Sequence, residues 1–431
     1  MREAPQVRIT KELNERLTRV GPGTAMGEVF RRYWIPACLS QEIAEPDGPP
    51  ISVRLLGEDL VVFRDTAGDI GLIDAYCAHR RAPMFYGRNE ECGLRCVYHG
   101  WKYDTLGNCV DMPSEPPYSK FRLRVSIKAY PTWEAGGLVW TYMGPREQMP
   151  PPPEYEWLRV PATHFKISKT GEPCNFLQAI EGGIDTAHSS FAHNNDLSNT
   201  RLLRNLDTHP TLEVDVKDHG FTYASLRNIS DDTTYLRVYQ FVMPFQQMRG
   251  GLLNAEGEPA GTPGIHGHIW VPIDDEKTWV YNWTYASTEE TPVTDEWWTT
   301  QESRMGRGAE HYIPGTYWLI RNPDNHFLID REVQRTKTFT GIEGVNTQDF
   351  AIQTGMGAIV DRSLEALGST DRAIQAARKL LLEACDEAEA SRPPRGTEPE
   401  QHRDMRAADM LVPRGSDWRD ASKDATIARW E

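Results

Sequence analysis

Cys77-Ala78-His79 and, after sixteen intervening residues, Cys96-Val97-Tyr98-His99 bring two thiols and two imidazoles into one short stretch. Donors spaced as C-x-H and C-x-x-H can hold two metal centres of unequal softness. In a two-iron, two-sulfide cluster of this kind, histidines replace cysteines on one iron and raise its potential. A single structural zinc can use the same four donors. Zinc ribbons and fingers, however, pair cysteine with cysteine or histidine with histidine, whereas each half here mixes the two. The mixing favours the two-iron cluster. A second stretch runs from Glu181 through Asp185-Thr186-Ala187-His188 to His193. Written as a helix, it sets Glu181, Asp185 and His188 on one face through i+4 and i+3 spacing. His193 then lies about 140° further round. Both imidazoles reach one metal only if the helix bulges or ends between them, and Ser189-Ser190 is the expected place.

These motifs need scaffolds, and 431 residues suffice for two domains. Hydrophobic residues at 39% and charged residues at 25% are globular proportions, and a net charge of -15 argues against nucleic acid or an anionic membrane as the main partner. No apolar run is long enough to cross a bilayer. The amino terminus lacks the apolar core of a signal peptide. The cysteines outside the motifs (Cys38, Cys92, Cys109, Cys174 and Cys385) show no disulfide-framework spacing, which predicts reduced thiols in a cytoplasm.

Residues 9–19 read as a short amphipathic helix broken by Gly21-Pro22-Gly23. Short strands between residues 51 and 74, turns at 57–59, 67–69 and 107–108, and a closing strand over 136–142 describe an all-β domain with the Cys/His donors on its loops. Pro150 to Pro153 form a stiff connector. Beyond it, residues 212–216, 221–227, 234–245, 265–270 and 279–285 read as antiparallel strands. The last carries Trp279, Tyr281, Trp283 and Tyr285 on one face, which needs covering, normally by helices. Those are expected at 295–306, 347–367 and 371–388. The predicted class is α+β: a helical segment 1–24, a β domain 25–150, a second domain 154–390, and an extended tail 391–431 lying on the surface or on a neighbouring subunit.

In this order and separation the motifs resemble the oxygenase (alpha) component of the Rieske non-haem iron aromatic-ring-hydroxylating oxygenases. Cys77-Ala78-His79-Arg80 and Cys96-Val97-Tyr98-His99-Gly100-Trp101 match the family's cluster loops, and Asp185-Thr186-Ala187-His188 with His193 matches its iron motif. The run Arg88 to Arg95 and Asp111-Met112-Pro113-Ser114-Glu115-Pro116 resemble the phthalate and phenoxybenzoate dioxygenase branch. Arg81 stands where many relatives have a small residue. The resemblance implies a Rieske [2Fe–2S] cluster on Cys77, His79, Cys96 and His99, in a domain ahead of a helix-grip, START-like catalytic domain. It implies a mononuclear Fe(II) on His188, His193 and a carboxylate, with open positions left for O2 chemistry. It selects Asp349 as that carboxylate. Spacing alone leaves Asp330, Glu343 and Asp361 open, since a carboxylate near a helix start is usually a dipole partner.

The same resemblance gives Asp185 the task of bridging a neighbouring subunit's cluster to an iron-site histidine, and so implies a cyclic trimer or two stacked trimers. Electrons are expected from a separate NADH-dependent reductase carrying flavin and a plant-type [2Fe–2S] cluster, since no Gly-rich dinucleotide fingerprint is evident in this chain. The expected reaction is dihydroxylation of an aromatic ring to a cis-dihydrodiol. A demethylating monooxygenase would share the metal sites. A Rieske electron-transfer protein and a zinc-structured binding module are the readings from other classes. For the substrate, Arg237 shares a strand face with Tyr235, Tyr239, Phe241 and Met243. It is either a core residue with an internal partner or a fork for a substrate carboxylate, and the branch resemblance favours the carboxylate. Arg201 and Arg204 follow the iron motif closely, and each is either a surface charge or a further group reaching the same pocket. Glu181 is either a further acceptor behind the histidines or an exposed carboxylate.

Overall fold

Apolar alternation builds the first unit. In Ile51–Leu55, Glu58–Arg64 and Ile70–Asp74 the buried side chains include Val53, Leu55, Val61, Phe63 and Ile73, and these strands with Ala129–Tyr130 form a four-stranded antiparallel sheet. A second sheet pairs Trp34–Leu39 with Leu138–Tyr142 and Thr132–Ala135. Four very short strands, Arg88–Asn89, Leu94–Arg95, Lys102–Tyr103 and Cys109–Asp111, make a third. Met84, Leu94, Trp101, Tyr103 and Met112 pack with Val61 and Phe63 around Cys77 and Cys96. The structure, a computed structural model, describes residues 9–199, 202–254, 256–259 and 264–430; Arg201 lies outside them. The first compact unit is Val20–Pro152.

The segment ending at Arg19 groups with the second unit and does not stand apart as a helical preface. Its helix Lys11–Thr18 buries Leu17, and Asn14 donates to the Val360 carbonyl while accepting from Arg362 at 3.1 Å. The second unit is built on an eight-stranded antiparallel sheet ordered Phe165–Glu172, Thr278–Ala286, Gly264–Pro272, Gln246–Gly250, Thr233–Val242, Gly220–Asn228 and Thr211–Lys217, with Ala408–Pro413 added to Thr233–Val242. That addition corrects the expectation of an extended tail. Gln246–Gly250 is so short that it covers only Gln240 to Val242, and Ala408–Pro413 pairs with the uncovered Thr233 to Val238. An unpaired row of backbone groups is a ready template for a strand. Trp418, from the helix that follows, is buried against Leu236 and Val238.

The aromatic face is also covered differently from expectation. Trp283 and Tyr285 share their face with Gly267 and Ile265, and Trp157 stacks on Trp283 at 5.3 Å. Helices cover the other face, which carries His266, His268 and Trp270. Two glycines allow this. A Cβ at Gly183 would run into the Trp270 ring, and one at Gly182 into the Gln353 amide. Helix Phe176–Ile184 therefore lies directly on Trp270 and against helix Val345–Gly355. The latter ends at Gly355, before Gly357 in a left-handed conformation, so the single helix expected over 347–367 is cut short.

Strand Phe165–Glu172 ends in a fully buried acid. Burial pushes the Glu172 carboxyl up to about 8, outweighing the Cys174 thiol that donates to it at 3.3 Å. A carboxyl whose folded pKa exceeds its unfolded value adds stability below the unfolded pKa and loses it as pH rises through the folded one. The melting temperature of wild type relative to Glu172→Gln is therefore expected to fall between pH 5 and pH 9. An unchanged difference across that range would contradict the assignment.

Candidate metal centres

The two Cys/His loops are built alike. In the first, the Cys77 N–H donates to the Ala82 carbonyl and the Arg81 N–H to the Cys77 carbonyl. In the second, the Cys96 N–H donates to the Trp101 carbonyl and the Gly100 N–H to the Cys96 carbonyl. The residue closing each turn has positive φ, 77° at Gly100 and 59° at Arg81. A non-glycine there is strained. Arg81 is anchored by Asp74 at 3.1 Å and by stacking over Tyr76, which explains how an arginine occupies the place of a small residue.

Both cysteines are buried, whereas His79 is exposed and His99 half-buried. The Nδ1 atoms of His79 and His99 face each other at 3.1 Å. Burial raises the Cys96 thiol, and the adjacent Cys77 raises it further. Like donors therefore pair with like. Among the described residues, no three of these four donors come within 4.8 Å of one another. Four ligands of one zinc would lie about 3.3–3.8 Å apart, so the donors do not converge on one ion. One thiol pair and one imidazole pair fit the two irons of a [2Fe–2S] cluster.

Tyr103 was not singled out in the sequence; its hydroxyl lies 3.3 Å from Cys77 Sγ and accepts from the Ala78 N–H. It sits two residues beyond Trp101 on the next strand, and that alternation was the available signal. Burial raises its pKa, so it stays protonated and can donate to the sulfur. Trp101 stacks on His79 at 4.6 Å and donates its indole N–H to Ser114.

In the second unit, helix Phe176–Ile184 ends earlier than expected. Gly182-Gly183 lowers helix propensity, and the Asp185 side chain accepts the Ala187 N–H at 2.7 Å in a local turn. His188 opens a 3₁₀ turn, His188–Ser190, whose carbonyl accepts from Phe191 and Ala192. That turn brings His193 back beside His188. Their Nε2 atoms are 3.1 Å apart. Asp349 Oδ1, from helix Val345–Gly355, lies 3.2 Å from His193 Nε2 and 3.5 Å from His188 Nε2. Three cis ligands of an octahedral ion lie about 3 Å apart for bonds of about 2.1 Å. The triad fits two histidines and a carboxylate on one face of an iron. Burial raises the Asp349 carboxyl, but His193 and His188 outweigh it and hold it low.

The rejected carboxylates have local tasks: Asp330 caps helix Arg331–Thr336, Glu343 pairs with Arg321, and Asp361 caps the turn Arg362–Leu364. Glu181 is neither exposed nor behind the histidines. It is buried between Arg362 and Arg378, at 2.9 and 2.6 Å, and fixes the helix ahead of the motif. Asp185 Oδ2 faces the buried Nδ1 of His188 at 3.4 Å. Arg204 donates to the His193 carbonyl. Arg237 Nε is 2.5 Å from Asp409, so the internal partner exists, and it comes from the segment taken for a tail. Its Nη2 remains buried without a partner.

Gln348, not singled out in the sequence, accepts from His193 Nδ1 at 2.9 Å, which leaves Nε2 for metal. Its amide nitrogen is held by Asn195 and the Ile342 carbonyl. The helix that brings Asp349 to the two imidazoles thus also orients one of them. Gln348→Leu is expected to weaken iron binding about 10- to 100-fold, read as iron lost to a chelator while sulfide stays constant. Equal retention by variant and wild type would contradict this.

A Rieske [2Fe-2S] domain matches residues 33–131, and a LigXa C-terminal domain like family matches residues 141–429. The phthalate 4,5-dioxygenase oxygenase subunit of Pseudomonas putida is 39% identical over 429 residues, 96% of this chain and 94% of that protein. The 3-chlorobenzoate-3,4-dioxygenase oxygenase subunit of Comamonas testosteroni is 37% identical over 433 residues, 96% of this chain and 97% of that protein. Among solved structures, Pseudomonas putida CBB5 NdmA QL mutant with caffeine aligns at a TM-score of 0.61 and 17% identity over 88% of this chain and 95% of that one, which supports the fold. No helix among the described residues is long and apolar enough to cross a membrane. With its Rieske domain, its iron-fitting triad and these full-length relatives, the chain belongs to the Rieske non-haem iron oxygenases, as an oxygenase subunit.

Proposed function

We propose that this oxygenase dihydroxylates the ring of an aromatic carboxylate to a cis-dihydrodiol, with Cys77, His79, Cys96 and His99 holding the cluster and His188, His193 and Asp349 holding the iron. The observation that carries this is the pairing of donors in one chain: thiol with thiol and imidazole with imidazole in the first unit, a three-donor facial set in the second. When bound, the cluster supplies electrons singly and the iron supplies O2 activation. The chain's own residues prepare that chemistry. Gln348 accepts a hydrogen bond from His193 Nδ1–H, which leaves Nε2 to the metal. Asp185 faces the corresponding nitrogen of His188. Gly182 and Gly183 let the two ligand-bearing segments meet.

Asp185 joins the iron site to the cluster of a neighbouring subunit, in a trimer or two stacked trimers. Its contact with His188 Nδ1 supports that role. Exposed Tyr86, Val97, Tyr98 and Phe121 around the cluster histidines support a docking surface there. The electron source is a separate NADH-dependent reductase with flavin and a plant-type [2Fe–2S] cluster, and the setting is the cytoplasm. Arg204 and the free Nη2 of Arg237 face the substrate's acid group. The test is an aerobic assay with NADH, a phthalate-type reductase and a panel of benzoates, phthalates and methoxybenzoates. A product heavier by O2 and two hydrogens is expected. Formaldehyde from a methoxybenzoate, with no diol from any substrate, would overturn dihydroxylation in favour of demethylation.

A further inference from the structure

The segment that carries His193 is closed at its base by one buried side chain. The chain leaves the turn His188–Ser190 and returns at the short helix Leu203–Leu206, where the Ser190 hydroxyl donates to the Arg204 carbonyl at 2.7 Å. Arg227, the penultimate residue of strand Gly220–Asn228, meets that junction with only 1% of its surface exposed. One terminal nitrogen donates to the Thr186 carbonyl at 2.7 Å. The other donates to the Ser190 hydroxyl at 3.1 Å and to the carbonyls of Arg204 and Asp207. The guanidinium therefore grips the chain two residues before His188, two residues after it, and again where the His193 segment ends. Arg204 donates back to the His193 carbonyl.

Burying a guanidinium is costly, and a carboxylate usually offsets the cost. Arg31, Arg307, Arg362, Arg378 and Arg406 follow that rule, each against a glutamate at 2.5–2.9 Å. The hydrogen bonds of Arg227 go instead to three carbonyls and a hydroxyl. What they fix is the geometry of two chain segments. A planar fork with donors on two nitrogens reaches both segments at once, whereas a lysine ammonium is a single point on a flexible stem. The base of this clamp is rigid. Its strand is paired on both edges, with Leu226 opposite Thr211 and Arg227 opposite Tyr235.

Resting on the assignment of the lone iron to His188, His193 and Asp349, we propose that Arg227 is a positioning residue for that iron. It clamps the turn carrying His188 to the base of the segment carrying His193, and so holds the two Nε2 atoms 3.1 Å apart and turned to one point. Gln348 does something different, since it orients the ring of His193 alone. Arg227 sets the distance between the two imidazoles, and the sheet is the frame against which that distance is kept.

The test compares Arg227→Lys and Ser190→Ala with Arg406→Lys, in metal-loaded protein. Arg406 is equally buried, but its side chain donates to Glu156 and the Ser287 carbonyl, so its variant measures destabilisation alone. Three quantities are read: iron lost to a chelator at constant acid-labile sulfide, the electron paramagnetic resonance of the ferrous iron with nitric oxide added, and the melting temperature. Arg227→Lys is expected to weaken iron retention about 10- to 100-fold and to spread the nitric oxide signal over more than one geometry. Ser190→Ala should move both in the same direction, by about 10-fold in retention. Arg406→Lys should lower the melting temperature and leave iron and signal as in wild type. Folded Arg227→Lys with wild-type retention and signal would overturn the clamp, as would equal iron loss in Arg406→Lys at an equal fall in melting temperature. If Arg227→Lys does not fold, Ser190→Ala decides, and wild-type behaviour there overturns the proposal. Matured wild-type protein with no iron beyond its cluster would sink the ligand assignment itself.

Discussion

Asp349→Ala is expected to lose the lone iron and keep the cluster. Turnover should fall by more than about 100-fold, beyond the 10- to 100-fold typical when only a partner behind a ligand is removed. The reason is local. Asp349 is the carboxylate that completes the set, 3.2 and 3.5 Å from the two imidazole nitrogens. The other carboxylates that spacing left open have local tasks: Asp330 and Asp361 cap helical turns and Glu343 pairs with Arg321. The cluster loops belong to the other compact unit and make their own backbone closures. Iron should therefore drop by one per chain at constant acid-labile sulfide, with the cluster's reduced-state resonance unchanged. Full iron content in the variant would remove Asp349 from the ligand set.

Asp185→Asn should retain both metals yet lower NADH-coupled turnover by more than about 100-fold. The carboxylate does two things: Oδ1 accepts the Ala187 N–H, and Oδ2 faces His188 Nδ1 at 3.4 Å. Asparagine keeps an oxygen for the first task, so the turn carrying His188 persists. It either sets an NH2 against the imidazole N–H or gives up the contact, and the charged link is lost. Burial raises this carboxyl, but His188 and the turn's N–H groups hold it below the usual range, so the wild-type group is ionised during turnover. Metal analysis beside NADH-coupled rates checks the split. Near-normal turnover with both metals present would refute the bridging role.

What the sequence made legible was what depends on near neighbours. The Cys/His loops are local turns, and their spacing carries both the candidate donors and the mixing of thiol and imidazole in each loop. His188 and His193 were legible as a pair. The point where the helix releases them was not: Gly182-Gly183 and the Asp185 turn end the helix before Ser189-Ser190 is reached. Asp349 lies on a helix more than 150 residues further on, and only family resemblance could choose it over three other acids. Gln348 was overlooked for the same reason: its acceptor role exists only once two distant segments pack.

Arg237 shows the cost of misjudging the tail. The stretch from 391 is rich in charge and proline, and that composition hid Ala408-Asp409-Met410-Leu411-Val412, a short apolar strand with one inward acid. Once that strand is placed, Arg237 has its partner. Arg204, which the sequence singled out, donates to the His193 carbonyl, and Arg249, on the same sheet face as Arg237, was not singled out. Arg249 lies on a five-residue strand with no visible alternation, so its face is fixed only by register with His266.

The metal content of the purified, matured chain tests the two assigned centres most directly. Iron and acid-labile sulfide, measured together with the reduced-state electron paramagnetic resonance spectrum, are predicted in a three-to-two ratio, the sum of one [2Fe–2S] cluster and one lone iron, with a rhombic signal. Zinc in place of iron, or iron without sulfide, would contradict it.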